Sequence, residues 1–217
     1  MAKDFKEMLT EGAAMLNVTL DGASAGKFTK YKDELKAWNK KINLTAIESD
    51  ADIVVKHFLD SLTLCRFLKG TGRLLDIGSG GGFPGIPLKL AMPGLNVTLL
   101  DSVHKKVFFM RHVIRTLGLK GIEAFAGRAE DRAVAAAYKN SFDCVTARGL
   151  SELKSFILMG LPFLKPDGIM LAIKGMAITE ELKAASGIDG MGTLEVFEAP
   201  LPFSKRTTTV VVIRRAR

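Results

Sequence analysis

The stretch Leu74-Leu75-Asp76-Ile77-Gly78-Ser79-Gly80-Gly81-Gly82-Phe83-Pro84-Gly85 constrains this chain more than any other. Leu74, Leu75 and Ile77 form a short apolar run suited to a buried parallel strand. The glycines that follow let the backbone turn sharply and leave room for a ligand. Pro84 and Pro87 fall where the first turn of a helix begins, because there proline lacks only a donor that has no partner anyway. Strand, glycine loop and helix start together read as a cofactor cradle at the carboxyl edge of a sheet.

The pattern also discriminates between cofactors. A pyrophosphate fingerprint reads G-x-G-x-x-G, and here Gly78-x-Gly80 meets Phe83 at the third glycine place. The spacing that fits is Asp76-x-Gly78-x-Gly80-x-Gly82. An acid two residues before the first glycine repels a diphosphate and attracts a cation. S-adenosylmethionine carries an ammonium and a sulfonium, so the loop suits it better than a nicotinamide dinucleotide.

Residues 1–70 read as a helical extension with no strand signal of its own. Leu9, Ala13 and Leu16 mark one amphipathic stretch, Phe28, Tyr31, Leu35 and Trp38 a second, and about 51–68 a third. From 71 to 217 strands and helices alternate. Strands are expected near 73–77, 96–100, 122–125, 142–147 and 169–173, with Lys165-Pro166-Asp167-Gly168 as a turn before the fifth. Thr193–Phe197 and Thr207–Ile213 read as two final strands whose short linker forces antiparallel pairing. The whole is an α/β, Rossmann-like doubly wound sheet of seven strands with the last antiparallel.

Ligands in such sheets bind beyond the strand carboxyl ends, which selects the candidate residues. Asp101 ends the second strand about 20 residues past the loop, where an acid receives ribose hydroxyls; alternatively Asp101 and Ser102 only cap the next helix. Ala129 and Glu130 follow the third strand, where an adenine ring would lie. Arg148 follows the fourth and faces the acceptor, and Ser151 is placed to cap the next helix. Lys174 and Arg206 aim basic groups at the same edge, to hold RNA phosphate or simply to be solvated. His57, beside Phe58, reads as structural more readily than catalytic, although it and Asp60-Ser61 could approach the cleft. Tyr31 and Trp38 at helical spacing read as core, and mid-strand Cys144 as a small core residue.

The formal charge of +8 favours a polyanionic partner. Basic residues cluster at Lys27 to Lys41, at Lys105, Lys106, Arg111 and Arg115, and at Arg214, Arg215 and Arg217. No secretion signal, metal-ligand spacing or bilayer-length apolar run is present, so a cytoplasmic protein without metal or membrane is expected. The fourth strand lacks the Asn/Asp-Pro-Pro-aromatic run of many exocyclic-amine methylases. A Pro-Cys pair for a pyrimidine adduct is missing too. An acceptor such as guanine N7 needs neither device, because it has an exposed lone pair and no proton to remove.

Trp38-Asn39-Lys40-Lys41-Ile42-Asn43-Leu44-Thr45, His57-Phe58-Leu59-Asp60-Ser61, Asp76 to Leu88, Leu99-Leu100-Asp101-Ser102, Arg128-Ala129-Glu130 and Leu171-Ala172-Ile173-Lys174-Gly175 together resemble the RsmG (GidB) methyltransferases. The resemblance implies an S-adenosylmethionine-dependent enzyme acting on N7 of one guanine in the decoding-centre loop of bacterial 16S rRNA. It implies a class I methyltransferase domain over 71–217 with an N-terminal helical extension. Carried over by position, Gly78, Phe83, Ala129, Glu130 and Arg148 contact the cofactor, beside the Asp76, Gly80 and Asp101 already singled out. Arg128, Lys174 and Arg206 match basic family positions assigned to catalysis or RNA. Phe83 stands where some members carry leucine. The substrate is naked 16S rRNA, the small ribosomal subunit or an assembly intermediate. A small-molecule methyltransferase, a nicotinamide-dependent oxidoreductase and a noncatalytic RNA-binding protein are the competing readings.

Overall fold

The computed structural model describes residues 3–149, 152–175 and 178–216. The chain opens with α1 (Phe5–Met15), started by a reciprocal capping box between Asp4 and Glu7. In α2 (Gly22–Asn39), capped by Asp21, the residues Phe28, Tyr31 and Leu35 recur at three- and four-residue spacing and bury one face. The third expected helix is not regular. It begins as α3 (Asp50–Ile53), widens into a π-helical segment (Val54–Leu59), continues as α4 (Asp60–Leu62) and tightens into a 3-10 turn (Thr63–Phe67). Sequence periodicity does not register such shifts in backbone hydrogen bonding, and π segments often mark functional sites.

The remainder alternates: β1 (Arg73–Ile77), α5 (Gly85–Ala91), β2 (Asn96–Asp101), α6 (His104–Thr116), β3 (Ile122–Ala126), α7 (Arg132–Ala137), β4 (Phe142–Arg148), α8 (Leu153–Gly160), β5 (Leu164–Lys174), α9 (Thr179–Ala185), β6 (Met191–Pro200) and β7 (Thr207–Arg215). One seven-stranded sheet has the order β3-β2-β1-β4-β5-β7-β6. Only β7 runs antiparallel to its neighbours β5 and β6, as expected. The order reverses between β1 and β4, the switch point where ligands bind in such sheets.

Three local expectations change. Lys165 to Gly168 lie inside β5, where the register against β4 shifts; Asp167, at φ +62, gives a bend within the strand rather than a turn before it. Ser102 does not cap α6, because Val103 occupies that position and no side chain caps it. Ser151, the expected cap of α8, lies outside the described residues, and Glu152 holds the position before the helix.

Alternation along the strands divides the core. Leu74, Cys144, Leu171, Val210 and Val212 face α1, α2, the 50–67 segment, α5 and α6. Leu75, Val145, Met170, Val211 and Ile213 face α8 and α9. The first cluster runs without a break from Leu9 to Val212, so the N-terminal helices share their core with the sheet.

Gly85 allows α5 to lie close on the sheet. A Cβ there would collide with Leu99 and come within 2.9 Å of an Asp76 carboxylate oxygen. Gly85→Ala should therefore lower unfolding free energy by about 1–3 kcal/mol, as overpacked sites do. A denaturant midpoint equal to wild type would show that the helix moves away without cost.

Candidate functional site: the carboxyl edge of the sheet

The glycine loop turns through left-handed backbone at Gly78, Gly80 and Gly82 (φ 70, 58 and 92). It is fastened on two sides. From the sheet, the Asp101 carboxylate accepts from Gly80 N–H at 2.8 Å with one oxygen and from Val103 N–H at 2.8 Å with the other. From α2, the buried Tyr31 hydroxyl donates to the Gly81 carbonyl. Tyr31 is therefore core, as its spacing predicts, and also a support of the loop that the sequence reading missed. Above Gly80 the loop faces open space, because a Cβ there would meet nothing nearer than 3.9 Å.

Asp76 lies fully buried beneath the loop. One carboxylate oxygen accepts from Gly85 N–H at 3.0 Å, and Oδ1 has no partner. Burial pushes this carboxyl up to about 7, against the pull of the Gly85 amide and Arg148. The Asp101 carboxylate and the orphaned Asp76 Oδ1, beside half-exposed Gly78 and Gly80, present acceptors that fit a cationic cofactor better than a diphosphate. The residues present thus fit S-adenosylmethionine. Ala129 is buried just beyond β3, whereas Arg128 and Glu130 are exposed on the same loop.

Arg148 ends β4 and reaches the helical segment. Nη1 donates to the Lys56 carbonyl at 2.9 Å and to Asp60 at 3.3 Å, and Nη2 donates to His57 Nδ1 at 2.9 Å. The guanidinium lies 4.8 Å from the centre of the Phe83 ring, and the His57 ring stacks on that ring at 4.4 Å. Arginine cannot accept a hydrogen bond, so His57 Nδ1 must be the acceptor and its proton sits on Nε2. Nε2 then donates to Thr45 Oγ1 at 2.7 Å. Asn39 fixes Thr45 in turn, its Oδ1 accepting from the Leu44 and Thr45 amides. Burial and Arg148 lower His57 to about 3, which keeps the imidazole neutral at physiological pH. Asp60 accepts from Thr208 Oγ1 at 2.5 Å, and burial pushes its carboxyl up against the pull of Arg148 and Thr208.

Asp60, at the start of α4, thus reaches the cleft beside Arg148, and His57, three residues earlier on the π segment, is buried against Arg148. Asn39 and Thr45, unassigned in the sequence reading beyond their motif, complete the connection. Their chemistry was visible as polar residues in an apolar stretch, but separations such as 91 between His57 and Arg148 carry no local signal.

Beside Arg148 opens a cleft of about 510 Å³ lined by Lys56, Asp60, Lys174, Lys205, Arg206 and Thr208, among others. Lys174 is largely buried and pairs with Glu181 at 2.6 Å, so its ammonium is held in place at the end of β5. Arg206 is exposed on the linker into β7. Five cations and one carboxylate, already engaged by Arg148 and Thr208, give this cleft a positive lining.

The Asp76 proton makes a direct pH prediction. Its folded pKa of about 7 exceeds the ordinary 3.8, so the native state binds more protons between those values. The Asp76 contribution is full below that window and lost as pH rises through 7. Asp76→Asn removes the titration while keeping an acceptor for Gly85. Its Tm relative to wild type should rise by about 5 °C or more between pH 4 and pH 8. A difference that does not change with pH would contradict a buried, proton-holding Asp76.

Comparison with known proteins agrees with this geometry. Residues 24–200 match the GidB family, described as rRNA small subunit methyltransferase G. A ribosomal RNA small subunit methyltransferase G from Geobacter sp. (strain M21) is 45% identical over 99% of this chain and 100% of its own length. One from Acetivibrio thermocellus is 42% identical over 98% and 89%. Among solved structures, a methyltransferase from Geobacter sulfurreducens has a TM-score of 0.60 at 13% identity, covering 86% of this chain and 90% of that one. TrmN from Thermus thermophilus gives 0.56 at 17%, covering 75% and 53%. Those two likenesses establish the class I methyltransferase fold, and the sequence matches establish more: the chain belongs to the GidB family of rRNA small subunit methyltransferases.

Proposed function

We propose that this protein transfers a methyl group from S-adenosylmethionine to N7 of a guanine in the decoding-centre loop of 16S rRNA. The family membership makes it an S-adenosylmethionine-dependent rRNA methyltransferase. The observation that carries the reading is the Arg148 guanidinium, anchored at the end of β4 between the glycine loop and the positively lined cleft.

S-adenosylmethionine, when bound, supplies an electrophilic methyl group. The chain's own residues supply position and electrostatics. Asp76, Gly78, Gly80, Phe83 and Asp101 hold the cofactor's methionine and ribose on one side, with Ala129 and Glu130 at its adenine. Asp101 already spends hydrogen bonds on the loop, yet each carboxylate oxygen has a second lone pair for a ribose hydroxyl. Three of Arg148's five N–H groups are engaged, which leaves two to orient cofactor or base. Guanine N7 attacks with its own lone pair, so the site needs alignment and no general base. The neutral His57 fits that role as a support rather than a base. Arg206, with Arg128 on the loop after β3, holds RNA phosphates around the target, and the Lys174 ammonium, fixed by Glu181 at the end of β5, adds to the positive field or acts in catalysis.

Residues 1–70 act in this reading as a helical extension that shapes the edge of the methyltransferase domain over 71–217. The substrate is 16S rRNA, naked or within the small ribosomal subunit or an assembly intermediate, and the site of action is the cytoplasm. Among the described residues no helix is long and apolar enough to cross a membrane.

Purified protein incubated with 16S rRNA and labelled S-adenosylmethionine should yield 7-methylguanosine as the single product. Methyl groups on another atom, or none with naked 16S rRNA and small ribosomal subunits alike, would contradict the reading. Arg148→Ala should lower turnover about 100-fold with the fold intact, as misplacement in such sites does. Asp101→Ala should weaken cofactor binding roughly 10- to 100-fold, the loss of a charged hydrogen bond, and leave RNA affinity unchanged. Equal loss of both affinities would remove Asp101 from the cofactor site.

A further inference from the structure

A second basic surface lies outside the cleft, between α2 and α6. These helices run antiparallel. Lys30 Nζ donates to the Thr116 carbonyl, Glu34 hydrogen-bonds to His112, and Trp38 lies against Phe109 and His112 at ring distances of 5.6 and 5.1 Å. That register carries the end of α2 to the start of α6. The start of α6 follows directly on Asp101, whose carboxylate holds Gly80. The groove between the two helices therefore opens at the same sheet edge as the cofactor loop. It has a volume of about 650 Å³ and is lined by Trp38, Ile42, Lys105, Phe108, Arg111, His112 and Arg115.

Lys105, Phe108, His112 and Arg115 are spaced three, four and three residues apart, which places them in one stripe on α6. Phe108 is 60% exposed, the most exposed aromatic side chain among the described residues. A single exposed apolar side chain is ordinary on a surface, so what flanks this ring decides its role. Among the described residues no carboxylate lines the groove, although Glu34 is engaged by His112 beside it. Lys105 and Arg115 are exposed, and nearby Lys40 and Lys41 add two further exposed cations at the end of α2. Arg111 Nε is fixed to the Ala124 carbonyl at 2.8 Å, which holds that guanidinium in place beside the ring.

An exposed ring flanked by cations, with no carboxylate in the lining, is the chemistry that recognises single-stranded RNA: bases stack on the aromatic face, and the charges neutralise phosphates. We infer that the α2–α6 groove is a second RNA-docking site, in which an unpaired base flanking the target guanine stacks on Phe108 while Lys105 and Arg115 hold the adjoining phosphates. The inference rests on the rRNA substrate proposed above. It adds a site that fixes the register of the RNA strand rather than one that touches the reacting atoms. An acidic protein partner is the alternative occupant, and a bare aromatic ring serves it less well than carboxylate-binding lysines alone would.

The test compares affinities of the full-length protein for a naked 16S rRNA fragment and for small ribosomal subunits. Phe108→Ala should raise Kd for the naked fragment roughly 5- to 100-fold, the loss of one stacked base. Phe108→Trp should restore it. Lys105→Gln combined with Arg115→Gln should reduce the slope of log K against log salt by about 1 to 2. S-adenosylmethionine affinity and kcat at saturating RNA should match wild type in all of these variants. A Phe108→Ala Kd within about twofold of wild type would overturn the inference. So would a loss confined to ribosomal subunits, which would assign the groove to a protein partner. The wild-type product reports separately on the proposed function. A wild type that methylates 16S rRNA while Phe108→Ala binds as tightly sinks this inference alone. A wild type that binds RNA without methylating it sinks the function, and the Phe108 ratio still decides the docking site.

Discussion

The site depends on how a glycine loop, bent through left-handed backbone at three positions, is kept in one shape. Glycine makes the turn possible and also makes it costly to order, because no residue loses more freedom on folding. The compensation is a pair of clamps. Asp101 holds Gly80 from the end of β2, and Tyr31 holds Gly81 from α2. Gly82 shows how close the second clamp lies, since a Cβ there would come within 2.8 Å of the Tyr31 hydroxyl and collide with Ile86. The N-terminal helices are thereby structural partners of the cofactor loop, in a core they share with the sheet.

The same helices determine where Arg148 can point. Its guanidinium is fixed by a backbone carbonyl, a carboxylate and a neutral imidazole, all from the segment that shifts from α to π geometry. Phe83, the last residue of the loop before Pro84, stacks on His57 and Tyr31 and faces the Arg148 guanidinium. Glycine loop, positively lined cleft and helical extension therefore meet at one ring and one guanidinium. A guanidinium keeps its charge at every physiological pH, and the depressed pKa of His57 keeps the neighbouring imidazole uncharged. The arrangement suits an alkylation in which no proton has to be moved.

Much of this was legible in the sequence. Strand and helix periods, the Asp76 to Pro87 stretch and the short linker before the last strand each have a local physical cause, and they specified the sheet and its antiparallel strand. What escaped was non-local or irregular. The 165–168 segment carries turn chemistry, and the left-handed conformation that Asp167 supplies serves equally well for a bend within β5. Asp101 was read as facing a ribose or capping the next helix, and the two backbone amides its carboxylate also binds leave no mark in the sequence pattern. Tyr31 had the spacing of a core residue, and only the folded chain brings its hydroxyl to a carbonyl 50 residues away. His57 was weighed as structural, and it is buried as expected, yet what it supports is Arg148.

The central claim is that this site modifies one guanine of the ribosome's small subunit RNA. Its most direct test is a mass-spectrometric map of modified nucleosides in 16S rRNA from cells with and without the gene. The account predicts loss of a single 7-methylguanosine in the decoding-centre loop, restored by purified protein with S-adenosylmethionine. An unchanged map would contradict it, leaving the fold in place and sending the search for the acceptor to other RNAs.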